Sequence, residues 1–502
     1  MHIILGPPGT GKTTKLLALV ESYLDRGISP DRIGYFSFTR QAAQEAVQRA
    51  CRRFRLAPTD LPHFRTLHSF ALSRLGIRKQ KVMNQQHYQD AASVLKVGHF
   101  TTRTPLEDGP YQDYGLGDGY LEIINMARTT RLPLREVYNM YRPDLPYSMV
   151  DYVDRGLREF KKAYELYDFT DMLELFVHQD LSPNFDVVFI DEAQDLSPLQ
   201  WEMVNQIESR TKEMFIAGDD DQAIYRWAGA DVDYFIRLGG THEVLGQSYR
   251  IPSSHHALSQ RIISQIHHRR IKEFLPRDDR GLIRWHRESD SVNIDSGDWL
   301  LMSRTRKGTK LLEREVRQRG MFYHYKNSRE VDQTTLQSIQ LWEQLRNGGA
   351  LQPKDVRLIY KRMLLNEQVK RGHKTLPDIP EEVYLTMNDL LTDHGLLTTA
   401  PWDEALGAVP DEEARYYKAC IRRGEDFRKP PRIRISTIHG AKGAEATNVL
   451  LMTDCPARPS TTGYGAVHMA DDELRVLYVG LTRAKQELHL VHPTSSSGYK
   501  LA

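Results

Sequence analysis

Cysteine is scarce in this sequence of 502 residues: Cys51, Cys420 and Cys455 stand far apart and none forms a CxxC pair. That spacing argues against a zinc knuckle, an iron–sulfur cluster or a disulfide scaffold, and it suits a reducing cytosol. An excess of either charge is also lacking. With 68 Lys and Arg against 66 Asp and Glu the formal charge is +2, so any nucleic-acid surface has to be a local cleft in a balanced exterior. No apolar run approaches the ~20 residues of a membrane span. Met1 leads directly into an apolar strand, which leaves no room for a signal peptide, and the expectation is a soluble cytoplasmic protein that makes no membrane contact. Internal repeats and low-complexity tracts are missing as well. A chain of this length divides into roughly two to four domains.

What is present begins at the first residues. An apolar strand, Met1 to Leu5, runs into Gly6-Pro7-Pro8-Gly9-Thr10-Gly11-Lys12-Thr13, the spacing GxxxxGKT. Glycines there let backbone N–H groups turn inward around phosphates, Lys12 can reach the β and γ phosphates, and the Thr13 hydroxyl can ligate Mg²⁺. Thr14 to Tyr23 reads as a helix whose N-terminal dipole points at a nucleotide. This stretch predicts a nucleoside triphosphatase and no more.

The strand and helix pattern continues through Arg32 to Phe38 and the helix from Thr39 past Val47, which suggests a parallel α/β sheet. From about Gly76 to Leu166 the chain turns polar and helical, interrupted by the glycine-rich YGLGDGY, and reads as a helical insertion. Arg158, Lys161 and Lys162 on its last helix read as a solvated face, with phosphate contacts as the alternative. The α/β pattern resumes at Asp186 to Ile190, a buried strand ending in Asp191-Glu192-Ala193-Gln194-Asp195. Two adjacent acids delivered beside a phosphate loop complete a hydrolytic centre: Asp191 can hold the Mg²⁺ shell while Glu192 positions or deprotonates the attacking water. A helix cap is the plain alternative, since Ser197-Pro198 follow.

Another strand, Met214 to Ala217, runs into Gly218-Asp219-Asp220-Asp221-Gln222-Ala223-Ile224-Tyr225-Arg226-Trp227. The Gln222 amide can bond both a γ-phosphate and its attacking water, and Tyr225 and Trp227 supply faces on which unpaired bases stack. A second α/β half begins near Thr241, with a first strand at Val244 to Gln247. The next helix ends in His267-His268-Arg269-Arg270, which reads as a solvated basic end. Between about Val331 and Lys429 the strands vanish again in a second, polar helical insert. Arg432 to Ser436 then leads into Thr437-Ile438-His439-Gly440-Ala441-Lys442-Gly443-Ala444-Glu445, and the chain closes through a helix, Asp471 to Val479, Gly480-Leu481-Thr482-Arg483-Ala484-Lys485 and a last strand. The plan is two α/β halves, each interrupted by a helical insert.

As a set, these residues resemble a superfamily one DNA helicase of the UvrD/Rep/PcrA type, over nearly the whole chain. GPPGTGKT resembles motif I, FTRQAA motif Ia, TLHS motif Ib, DFTDML motif Ic, DEAQD motif II and GDDDQAIYRWAGA motif III; QSYR resembles motif IV, STIHGAKGAE motif V and VLYVGLTRAK motif VI. The resemblance implies two RecA-like motor domains in tandem, at 1–75 with 166–240 and at 241–330 with 430–502, interrupted by insertions at 76–165 and 331–429. It implies that Arg250 and Arg483 reach the γ-phosphate, that Tyr249 stacks on adenine and Glu445 bonds the ribose, and that Phe38, His68, Tyr225 and Trp227 line a single-strand path with Thr39, Arg40, Arg304, Thr437 and His439 on the backbone. ATP and Mg²⁺ are the implied cofactors. Single-stranded DNA and its junctions with duplex are the implied partners, travelled 3′ to 5′ by a monomer.

The sequence departs from that family pattern in three places. No glutamine-bearing segment precedes motif I, Thr14 stands where many members carry a base-packing arginine, and the second insert is short and lacks a Gly-Ile-Gly hairpin. These departures predict relaxed base selectivity and put duplex engagement in question. Two other readings compete: a 5′ to 3′ Upf-class helicase, disfavoured because motif III here lacks GDxxQLPP, and a DNA-dependent translocase or clamp that does not unwind.

Overall fold

The computed structural model describes residues 1–38, 40–100, 116–325, 333–455, 464–493 and 498–499. It is an α/β protein with two six-stranded sheets. Contacts divide the chain into two compact units, Met1–His286 with Ser303–Arg306 and Thr437–Ala502, and Arg287–Met302 with Lys307–Ser436.

In the first unit, strands β1 (His2–Leu5), β2 (Ile33–Ser37), β3 (Phe64–Thr66), β4 (Phe185–Asp191), β5 (Thr211–Gly218) and β6 (Thr241–Val244) form one sheet in the order β3-β2-β4-β5-β1-β6. Every neighbouring pair is parallel. A parallel sheet is covered on both faces, so its strands are near-continuous apolar runs, and alternation sends each residue to one of two cores. Ile3, Leu5, Phe36, Val188 and Ile190 pack on one side; Ile4, Tyr35, Val187 and Phe189 pack on the other, under helices α1 (Lys12–Asp25) and α2 (Arg40–Phe54). The expectation that a second half opens near Thr241 is corrected here. Thr241 to Val244 are registered against His2 to Leu5 and complete the first sheet, covering an edge of β1 that would otherwise be bare.

Helix α3 (Leu67–Leu75) starts on Thr66, whose hydroxyl accepts from Ser69 N at 3.2 Å. The helical insertion follows, as α4 (Gln85–Leu95), α5 (Leu116–Thr130), α6 (Leu134–Tyr141) and α7 (Tyr147–Tyr164) around a core of its own. Part of YGLGDGY lies outside the described residues; the rest is the start of α5 and not a loop. A Cβ at Gly117 would meet the backbone of Val97 and His99, so glycine is needed there for close approach within a helix.

The chain returns to the sheet through α8 (Phe169–Gln179), where DFTDML serves as a capping box. Asp168 accepts from Asp171 N and Asp171 accepts from Asp168 N, both at 2.8 Å. Lys161 is not part of a solvated face: its ammonium is buried between Asp168 Oδ2 at 2.5 Å and Asp171 Oδ2 at 2.7 Å. Arg128 also meets Asp168, Asp171 and Glu174 at 2.6 to 2.8 Å. Helix α9 (Pro198–Ser209) begins on a Ser197 cap with proline in its first turn. The unit also holds parallel strands Ala446–Met452, Ala484–Val491 and Leu282–His286.

The second unit pairs strands Tyr323–Tyr325 and Ile433–Thr437 in parallel. Its helical part includes Gln333–Arg346, Pro353–Tyr360 and Asp411–Arg423. Its strands do not vanish altogether, because Ala350–Leu351 and Leu385–Thr386 make a two-residue antiparallel pair. Two of its buried aromatics rest their polar tips on backbone: Trp342 Nε1 donates to Ala400 O and Tyr360 OH to His394 O, both at 3.0 Å. Among the described residues no disulfide joins Cys51, Cys420 and Cys455, and burial pushes the Cys420 thiol up to about 12. Among the described residues no helix is long and apolar enough to cross a membrane.

Candidate active site

The loop between β1 and α1 is held open at its N-terminal side. Gly6 N donates to Gly218 O at 3.0 Å, fastening the loop to the end of β5, and Thr10 Oγ1 donates back to Pro7 O at 2.7 Å. Gly9 and Gly11 lie at φ 74 and 83, the left-handed region glycine adopts without strain. A Cβ at Gly6 would overlap the Lys12 side chain and one at Gly9 would overlap Arg250, so the loop's glycines are required by space as well as by angle. Gly11 is the N-cap of α1 and offers no side-chain cap. Among the described residues the first turn of this 14-residue helix therefore has no side-chain cap on its N–H groups, which is the arrangement that binds phosphate.

Strand β4 carries the acids to the same place. Lys12 Nζ donates to Gly6 O at 3.0 Å and stands 3.6 Å from Glu192 Oε1. Asp191 Oδ2 accepts from Thr13 Oγ1 at 3.2 Å and from Tyr35 OH at 2.9 Å, while Asp191 Oδ1 accepts from Glu192 N at 3.0 Å. Glu192 sits at φ 57, in the left-handed region that a residue other than glycine rarely adopts. Burial, reinforced by the Glu192 charge, raises Asp191 to about 6. Desolvation works against the Glu192 charge too, but Lys12 and Lys442 outweigh it and hold Glu192 at about 2. One acid of the pair is thus strongly anionic and the other is short of positive charge.

The site fits a hard cation between Thr13 and Asp191. Both present oxygen, the donor type magnesium takes, and the pair is already in contact. Ser37, registered opposite Asp191 across the β2–β4 ladder, keeps a buried hydroxyl with no hydrogen-bond partner among the described residues. A spare polar atom in such a place suits a hydrated ion.

Gln222 is joined to the acids through a chain of side chains. Gln194 Nε2 donates to Glu192 Oε2 at 2.6 Å and Gln194 Oε1 accepts from Asp219 N at 3.0 Å. Asp219 Oδ2 accepts from Gln222 Nε2 at 2.7 Å, and Gln222 Oε1 accepts from Arg483 Nη2 at 3.0 Å. Arg483 is fully buried, and burial together with the charge of Arg250 lowers it to about 9. Arg250 instead donates to Glu445 Oε2 at 2.7 Å, and Lys485 pairs with the other oxygen of Glu445. The residues expected at the γ-phosphate and at the ribose are thus paired with each other. Tyr249 is exposed beside the loop, with its N–H on Gly9 O at 2.9 Å.

Sequence reasoning missed the support of this chain. The acids Asp219, Asp220 and Asp221 are all buried around Lys272, at 3.2, 2.5 and 2.9 Å from its ammonium. Arg269 grips Asp221 through two bonds of 2.7 and 2.6 Å, and Arg270 N donates to Asp220. The run His267 to Arg270 is therefore not a solvated basic end. Arg269 from that run and Lys272 just beyond it supply the charge that lets three carboxylates be buried together. The signal available in the sequence was the match of an acidic triplet to a basic run some fifty residues later.

The aromatic residues from three separate motifs meet. Phe38 stacks on Tyr225 with ring centroids 5.6 Å apart; Tyr225 OH donates to His439 O at 3.2 Å, and Trp227 meets the His439 ring edge-on at 5.9 Å. Tyr225 and His439 are buried, while Phe38 and Trp227 are half-buried. Burial, with Arg304 and Lys442 nearby, holds His439 well below its ordinary value. Lys442 joins this cluster to the acids: its ammonium is 2.5 Å from Asp195 Oδ2 and 2.7 Å from Gln222 O, and lies 5.0 Å over the Tyr225 ring. Asp195 is nevertheless raised to about 7 by burial.

The other expected strand contacts are scattered. His68 lies against the edge of Phe169 at 6.0 Å. Thr437 is buried, its hydroxyl accepting from Gly440 N. Arg304 is 2% exposed and forms a two-point ion pair with Glu473. Thr39 lies outside the described residues, and Arg40 is the first residue of α2.

Comparison with known proteins bears on the whole arrangement. The family model of the UvrD/REP helicase N-terminal domain matches residues 1–243, and that of the UvrD-like helicase C-terminal domain matches residues 417–494. A putative ATP-dependent DNA helicase, YjcD of Bacillus subtilis, is 24% identical over 255 residues, which cover 47% of this chain and 32% of that protein. A probable DNA helicase of Mycoplasma pneumoniae is 23% identical over 528 residues, 98% of this chain and 80% of its own. DNA helicase II of Haemophilus influenzae is 32% identical over 265 residues, 46% of this chain and 33% of its own. The chain thus spans about a third of the length of two of these relatives and four fifths of the other.

Proposed function

Because the chain belongs to the UvrD/Rep family of DNA helicases, we propose that it is an ATP-driven translocase that moves 3′ to 5′ along single-stranded DNA and unwinds duplex ahead of it. The observation that carries the reading is the position of Lys442. One ammonium touches the acid-bearing loop at Asp195, the Gln222 carbonyl and the face of Tyr225, so a change at the phosphates and a change at the stacked aromatics are felt by the same side chain.

In this reading Gly6 to Thr13 and the first turn of α1 hold the triphosphate, and Lys12 leaves Gly6 O to meet the β and γ oxygens. Thr13 and Asp191 would hold a magnesium ion, which when bound neutralises phosphate charge. Glu192, kept anionic by Lys12 and Lys442, accepts a proton from the attacking water at its carboxylate. Gln222 orients that water, and Arg483, already bonded to Gln222 Oε1, stabilises the charge that grows on the γ-phosphoryl oxygens. Arg250 joins it by leaving Glu445, and that exchange frees Glu445 for the ribose and lets Tyr249 cover the base. Phe38, Tyr225 and Trp227 stack on successive bases, each contact worth roughly 1–3 kcal/mol. The segments 1–75 with 166–244, which carry the first sheet, act as one motor domain, and 245–330 with 430–502 act as the other.

Phosphate release and strand displacement, measured on duplexes with a 3′ or a 5′ single-stranded tail and on matching RNA, test this. Unwinding only from the 3′ DNA tail is expected. Unwinding only from a 5′ tail would overturn the polarity, and turnover stimulated by single strands without displacement would leave a translocase that does not unwind. Running the assay with all four nucleoside triphosphates tests base selectivity, where equal rates are expected.

A further inference from the structure

We propose that Tyr35 is a positioning residue for the magnesium-binding carboxylate, holding Asp191 in one orientation through its phenolic hydroxyl. The inference rests on the reading that Thr13 and Asp191 hold the metal ion. Tyr35 lies on β2 two residues before Ser37, and Ser37 is registered opposite Asp191. With a side-chain period of 2, Tyr35 and Ser37 share a face of the sheet. The phenol runs along that face and ends 2.9 Å from Asp191 Oδ2.

Its ring cannot easily go elsewhere. It stacks on Phe64 with centroids 5.3 Å apart and an interplanar angle of 15°, and lies 6.4 Å from Phe189. Tyr35 is fully buried, so its hydroxyl loses water on folding and needs an acceptor in the protein. Asp191 is the acceptor within reach.

The consequence falls on the carboxylate. An ionised carboxylate has about four lone-pair directions, and here Tyr35, Thr13 and the Glu192 amide take three of them. What remains is directed, and the terminal torsion of an aspartate is otherwise broad. Thr13 belongs to the phosphate loop and responds to the nucleotide. Tyr35 belongs to the sheet and does not. The fixed donor sets where the carboxylate points before any ion arrives, which is the role that outer hydrogen-bond partners of metal ligands play.

The test is Tyr35→Phe, with binding of a fluorescent N-methylanthraniloyl ATP followed as Mg²⁺ is titrated and again in EDTA. The Mg²⁺ concentration giving half-maximal binding is expected to rise about tenfold, the lower end for losing such a partner, while affinity in EDTA stays within about twofold. An unchanged Mg²⁺ dependence overturns the proposal. Phe64→Leu loosens the same stack but keeps the hydroxyl, so an equal shift in that variant would assign the effect to packing and overturn it as well. Thr13→Ala and Asp191→Ala run beside them: if neither alters the Mg²⁺ dependence, the metal site itself is misplaced; if both do and Tyr35→Phe does not, only the positioning role fails.

Discussion

Two groups of buried acids and bases in this protein are built from the same side chains and end in opposite states. Around Asp168, the helical insertion supplies Arg128 and Lys161, and these overcome burial to hold that carboxylate at about 2. Around Asp191, burial and the adjacent Glu192 win, and the carboxylate rises to about 6. The difference lies in how completely each group is paired. Asp168 and Asp171 each meet both cations directly. At the phosphate loop Lys12 is turned to a backbone carbonyl, and Ser37 Oγ and Asp195 Oδ1 are buried without partners among the described residues. A cluster that holds a fold together is saturated, whereas one that holds a ligand is left short of cations and hydrogen bonds that the ligand supplies.

The largest test of that contrast is Glu192→Gln. In the proposed mechanism the Glu192 charge does the chemistry at the phosphate loop, so its loss is expected to cut single-strand-stimulated phosphate release by about a thousand-fold while the melting temperature barely moves. Turnover within tenfold of the parent protein would mean that Glu192 neither orients nor deprotonates the water.

Arg128→Met makes the complementary break. It leaves Asp168, Asp171 and Glu174 with less positive charge in a buried place, and a loss of about 3 to 4 kcal/mol is expected in denaturant unfolding of the region. Nucleotide affinity of the folded protein should remain. If nucleotide binding fell and stability held, the two clusters would have exchanged roles.

These clusters also mark how far the sequence could be read. Asp191 and Glu192 were legible because they stand at the end of an apolar strand, and Lys12 because it closes the GxxxxGKT loop that follows one, so local spacing states each position. The aromatic meeting of Phe38, Tyr225, Trp227 and His439 was legible as a set of motifs, though not as a contact. Pairings made across long separations were not legible. His267 to Arg270 looks like a basic helix end because its acids lie at Asp220, Asp221, Asp233 and Asp471. Arg304 looks like a free cation until Glu473 is beside it. Tyr35 reads as one more apolar strand residue, since only the register of β2 on β4 brings its hydroxyl to Asp191. Thr241 to Val244 is polar and exposed, and nothing local says that it completes a sheet begun at His2.

Acid should separate the clusters too. Asp168 is depressed to about 2 from an unfolded value near 3.9, so its stabilisation is fully present above about pH 4 and is lost as the pH falls toward 2. Over that window it is worth about 2 to 3 kcal/mol. The loss should appear as a falling unfolding midpoint that is flatter in Asp168→Asn, whose side chain does not titrate. A parent protein as stable at pH 2 as at pH 5 would show that the cluster does not hold its charge.

Ser37→Ala is the smallest effect and the most direct reading of what an unpartnered group means. If the Ser37 hydroxyl only fills space, alanine is close to neutral everywhere. If it awaits a water on the metal ion, removing it takes away a buried polar atom that has no partner in the empty protein, a change expected to stabilise that form by about 1 kcal/mol. The same change should weaken Mg²⁺-dependent nucleotide binding severalfold, because the bound state loses a hydrogen bond the empty state never had. Opposite signs in the two states are the signature. Destabilisation of the empty protein by Ser37→Ala would show that the hydroxyl already has a partner, and the phosphate loop would then be as saturated as the cluster around Asp168.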